Sequence, residues 1–205
     1  MTDTKTSSLP LALEDYRRLR DEYDTADKVL SEVQAFVDEA GVPAINELRY
    51  AGYHLLNTII PANGEGPPHE ELTRAVNHCK RATYEASEMG LLTAFDRVTA
   101  FKVSYEQVVV SQVVNDWQEI LTKCDVYRDE ITSARQTEDD RTIDHGRFRD
   151  AFRELVGICR RLDHARDDLN RIIEKKQTDA RRFLIQTILA VVALAVTILG
   201  IVAVL

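Results

Sequence analysis

The sequence predicts an all-α protein, a bundle of long antiparallel helices with one C-terminal transmembrane helix. Three observations predict it. Apolar residues recur at intervals of three and four through several long stretches. Pro and Gly gather at the breaks between those stretches. The final residues form an apolar run without a single charge. Layered helices around one core are the architecture that such a pattern builds.

The first helix is expected over Leu11 to Ala40. Tyr16, Leu19, Tyr23, Ala26, Leu30, Val33 and Val37 make a heptad-like stripe along it. Gly41 is a natural stop, and Pro43 suits the first turn of the next helix, expected to reach Ile60. That helix turns Leu48, Ala51, Leu55 and Ile59 inward, then gives way to PANGEGPPHE, the clearest loop in the chain. A third helix starts near Pro68, with Leu72, Ala75, Cys79, Ala82 and Ala86 as its apolar face. Gly90 is expected to bend or end it. From Leu91 to about Arg135 the helical period continues, and VVVSQVV (Val108 to Val114) reads as buried helix because the period resumes on both sides. QTEDDRTIDHG (Gln136 to Gly146) is a polar break holding His145. The last helix begins near Arg147 on the stripe Phe148, Phe152, Leu155, Cys159, Leu162, Leu169 and Ile173, and no breaker separates it from the C-terminal run.

That run extends from Phe183 to Leu205, and only Gln186, Thr187 and Thr197 carry polar side chains. A bilayer core of ~30 Å needs about 20 helical residues, so the run is long enough to span with some tilt. Arg171, Lys175, Lys176, Arg181 and Arg182 precede it and no charge follows, which places the N-terminal domain in the cytoplasm of a single-pass cell-membrane protein. The basic cluster also suits anionic lipid headgroups. The expected division is a disordered N-terminus (1–10), a cytoplasmic bundle (11–177) and a juxtamembrane segment with tail anchor (178–205). Within the anchor, Gln186, Ala190, Ala193, Thr197 and Gly200 share one helical face, and small or weakly polar residues on one face let membrane helices approach closely. A homo-oligomer associated through this stripe is therefore expected.

Composition narrows the rest. A net charge of −8 argues against a generally basic nucleic-acid-binding surface. The three cysteines, Cys79, Cys124 and Cys159, form neither a metal spacing nor a paired framework and read as buried thiols in a reducing compartment. Phosphate-binding glycine loops, nucleophile elbows and paired-histidine zinc helices are absent from the sequence, so no cofactor and no metal is expected. The acidic groups Asp38 with Glu39, and Glu138, Asp139 and Asp140, read as solvated surface. His69 is expected in a loop, and His54, His78 and His164 on helices.

INELRYAGYHLL (Ile45 to Leu56), followed after the loop by EELTRAVNHCKRATYEASE (Glu70 to Glu88), resembles the paired helices of HEPN-like domains, small all-α bundles. In the nuclease members an Arg and a His four to six residues apart act at a dimer interface, and Arg49 and His54 stand in that relation here. The resemblance implies His54 as general acid/base toward an RNA 2′-hydroxyl and Arg49 as stabiliser of the phosphate charge. The position after the Arg, often polar in active members, is Tyr50. With its membrane helix the chain also looks like the membrane-bound HEPN-like accessory proteins of prokaryotic defence loci. That resemblance implies a cytoplasmic oligomerisation and sensing domain with a membrane-disrupting segment; whether a protein partner or an RNA is the trigger is left open by the sequence. The alternatives are a non-enzymatic membrane scaffold and a membrane-tethered, metal-independent ribonuclease.

Overall fold

A computed structural model describes residues 9–60, 66–136 and 144–204, with side chains described as far as Ala193. All regular structure among them is helical: α1 (Leu13–Val37), α2 (Val42–Ile59), α3 (Pro68–Ser104), a 3₁₀ turn (Val110–Gln112), α4 (Trp117–Arg135) and α5 (His145–Val204). Parts of the expected disordered N-terminus, of the Pro/Gly loop and of the polar break, with Glu138, Asp139 and Asp140, lie outside the described residues.

Helix α3 is the spine. Its buried positions run from Glu71 to Phe101, and it packs against α1, α2 and α5. Every residue predicted inward on this helix is buried, because apolar positions at three- and four-residue spacing line one stripe. Chain neighbours run antiparallel. Glu47 of α2 meets His78 of α3, while His54 further along α2 meets Glu71 further back on α3. Lys123 of α4 meets Glu154 of α5, and later on α4 Glu130 meets the earlier Arg147.

Several expectations are corrected. α1 stops at Val37, not at Gly41. Asp38 takes the left-handed conformation (φ 61°) and returns its N–H to the Gln34 carbonyl at 3.1 Å, a cap that Asp tolerates better than most residues. Gly90 neither bends nor ends α3. It is required because a Cβ there would lie 2.5 Å from two ring carbons of Phe152 and 3.2 Å from Val33. The helix surface is pared down so that an aromatic ring from α5 can press against the α3 backbone. VVVSQVV is not buried helix. The helix ends at Ser104, and Tyr105 to Asp116 cross over through turns and the 3₁₀ segment. Val108, Val110 and Val114 are buried there and Val109 is exposed, an in–out alternation that suits β-branched residues off a helix. His69, expected in a loop, sits in the first turn of α3, and His145 opens α5.

Helix α5 runs uninterrupted for 60 residues, about 90 Å at 1.5 Å per residue. Its stripe is buried from Phe148 to Leu169, and Ile173 is half-buried. From Glu174 to Ala193 every residue is exposed, including Phe183, Leu184, Ile185, Ile188, Leu189, Val191 and Val192. Among the described residues no helix is long and apolar enough to cross a membrane. The stretch of the apolar run whose side chains are described, 183–193, covers about 16 Å, roughly half a bilayer core. The side chains beyond Ala193, those of Thr197 and Gly200 among them, lie outside the described residues.

Candidate functional site: a reciprocal glutamate–histidine ladder

On α2, Glu47 and His54 are seven residues apart; on α3, Glu71 and His78 are seven residues apart. Seven residues are two helical turns, so each pair projects from one face of its helix. Because the helices are antiparallel, the pairs cross-match. His54 Nδ1 lies 2.7 Å from Glu71 Oε2, and His78 Nδ1 lies 2.6 Å from Glu47 Oε2. The two imidazoles stack between the carboxylates, 5.1 Å between centroids and 10° from parallel. Tyr50 flanks His78 and Tyr53 flanks His54, each at 5.5 Å, and both tyrosines are about half exposed.

Arginines close the outer ends. Arg74 donates to Glu71 Oε1 at 2.6 Å, and Arg81 approaches Glu47 Oε1 at 3.6 Å. The Glu71 side chain is 1% exposed, yet Arg74 above it is half exposed. The carboxylate is therefore shut off by its own partners, not by depth. The hydrogen bond from His54 holds Glu71 below the ordinary carboxylate range, and the charges of His54 and Arg74 add to it against the cost of burial.

A histidine whose Nδ1–H donates to a carboxylate is fixed in one tautomer, and its Nε2 lone pair is free to take a proton. Both histidines pair with a carboxylate through Nδ1, the arrangement by which an acid/base imidazole is oriented. Among the described residues no group of three or more His, Cys, Asp or Glu side chains could hold a metal ion.

The residues singled out by sequence are distributed unevenly around this site. His54 is at its centre. Arg49 is exposed, with its guanidinium on Asn46 of its own helix at 3.0 Å. Five helical residues turn through about 140°, so Arg49 and His54 diverge within one chain. Gln186, Ala190 and Ala193 are exposed on the distal half of α5. Of the basic cluster, Arg171 pairs with Asp168, Lys176 reaches the Gln107 carbonyl at 3.4 Å, and Lys175, Arg181 and Arg182 are exposed. Glu47, Glu71 and His78 were missed. Their signal was a Glu-x₆-His spacing present once on each arm of a helical hairpin.

No protein family matches the chain, and no curated protein or solved structure is significantly similar to it. The likeness to HEPN-like domains therefore rests on the quoted segments, and what is established is an all-α bundle.

Proposed function

We propose that this protein is a tail-anchored membrane protein whose cytoplasmic bundle is an assembly and sensing module. The observation that carries this reading is α5, which leaves the bundle after Ile173 and continues as helix with apolar side chains exposed around its circumference. An apolar surface of that kind needs a cover. The sequence beyond Ala193 stays uncharged to Leu205, which makes lipid the fitting one. Assembly would bring several anchors together along Gln186, Ala190, Ala193, Thr197 and Gly200. The HEPN-like resemblance would set such an effector in prokaryotic defence.

The test is the oligomeric state of the full chain in nanodiscs, followed by dye release from vesicles. Ala193→Leu with Gly200→Leu keeps the run apolar but blocks close helix approach. An effector loses its oligomer and its dye release, whereas a passive scaffold keeps binding its partner. A wild-type chain that does not enter nanodiscs at all refutes the anchor.

A second reading, a membrane-tethered ribonuclease, is favoured by one observation: Glu71 orients His54 as a catalytic base is oriented. Since Arg49 turns away from His54 within the chain, this reading requires a second copy to supply the arginine. His54→Ala then abolishes RNA cleavage while leaving membrane behaviour intact. Wild-type protein without RNA cleavage removes the reading.

A further inference from the structure

The connection between α3 and α4 lies at the end of the bundle from which α5 departs. Tyr105 OH donates to Asn170 Oδ1 at 3.1 Å, and two residues later the Gln107 carbonyl accepts from Lys176. Asn170 and Lys176 are about 9 Å apart along α5, so the chain advances toward the apolar run as it leaves α3. It then turns back through Val110–Gln112, and Asp116 pairs with Arg161 far behind. The tip, Glu106 to Val109, is thus the part of the bundle nearest to Phe183 among the described residues. Phe183 lies seven residues beyond Lys176, about 10 Å of helix, which exceeds the roughly 5–7 Å interfacial layer of a bilayer by a few ångströms, so the tip reaches that layer when α5 tilts toward it.

The surface at this tip is out of keeping with an acidic protein. Val109 is 55% exposed and Val103, on the last turn of α3, is 63% exposed, while Val108 and Val110 are buried on either side. Burial of its neighbours forces Val109 outward. Lys102 and the exposed Glu106 lie beside these valines, Lys176 reaches the tip, and the segment Arg171 to Arg182 carries five basic residues against Glu174 and Asp179, with Arg171 paired to Asp168. An apolar tip beside a basic juxtamembrane helix suits the boundary between anionic headgroups and acyl chains.

We propose that the α3–α4 connection is a second membrane contact, in which Val109 dips into the headgroup layer of an anionic bilayer and fixes the tilt of the bundle over its anchor. This rests on the membrane reading above and adds a specific pose to it. With two attachments, the ladder on α2 and α3 is held at the far end of the bundle. From His78 to Tyr105 the α3 spine measures about 40 Å.

The full chain is reconstituted in nanodiscs of phosphatidylcholine with phosphatidylserine, with one nitroxide at Val109→Cys, Ile188→Cys or Val126→Cys. The native cysteines are buried and escape labelling. Val126 is exposed on α4, remote from the tip, and serves as the aqueous reference. Collision with oxygen against a water-soluble nickel complex reports depth. The expected order is Ile188 in hydrocarbon, Val109 at the interface and Val126 in water. A water-like Val109 beside a lipid-like Ile188 overturns the second contact alone. Water-like values at both overturn the membrane reading, and the loop contact with it.

Discussion

Replacing Glu71 by Gln tests the ladder as a structural element. The substitution keeps the shape and removes the charge from a side chain that is 1% exposed and accepts from His54 at 2.7 Å and Arg74 at 2.6 Å. A hydrogen bond to a charged group contributes about 1.5–3 kcal/mol. The Arg74 end is half exposed and regains water, so it adds no more than about 0–1 kcal/mol. The His54 end is 16% exposed and recovers little. A loss of about 2 kcal/mol at pH 7 follows. The pH dependence has a definite sign. Glu71 is held below its ordinary value of 4.5, so its contribution is complete above that value and is lost as pH falls through the lowered one. Wild-type and Glu71→Gln stabilities should therefore converge in acid. Urea titrations of the full chain in mild detergent, followed by the single buried Trp117, measure both quantities. A difference under about 0.3 kcal/mol at pH 7, or one that widens in acid, refutes the reasoning.

Gly90→Ala forces a methyl group against the Phe152 ring and should cost about 1–3 kcal/mol by the same titration. Gly52→Ala meets nothing within 4 Å and should stabilise α2 by roughly 0.5–1 kcal/mol, so the two glycines move the midpoint in opposite directions. Burial raises the Cys79 thiol to about 12, with Glu22 adding to it, and the Cys159 thiol to about 11 against the charge of Arg97. Burial raises Cys124 as well. A thiol-specific chromogenic reagent at pH 8 should leave all three unreacted in the native chain and modify all three in urea.

Local pattern was enough for the helices, because the stripe from Leu72 to Ala86 on α3 and that from Phe148 to Leu169 on α5 are set by residue spacing alone. It was also enough for the uncharged run at the C-terminus. It was insufficient where two periods overlap. The valines from Val108 to Val114 satisfy a helical reading on both flanks, and only the termination of α3 at Ser104, with α4 returning along α5, turns them into a connection. Gly90 looked like a helix breaker because sequence shows a missing side chain and not the ring that occupies its place.

The candidate site divides in the same manner. His54 was found by its distance from Arg49 along one helix, a spacing that the helical turn makes divergent. Its true neighbours are Glu71 and His78, brought in from the opposite arm of the hairpin. The sequence by itself determined the helices, the acidic balance and the apolar run, since each depends on residues near one another in the chain. Only the tertiary structure decided that two Glu-x₆-His spacings interlock as a ladder, because antiparallel register matches Glu47 with His78 and His54 with Glu71.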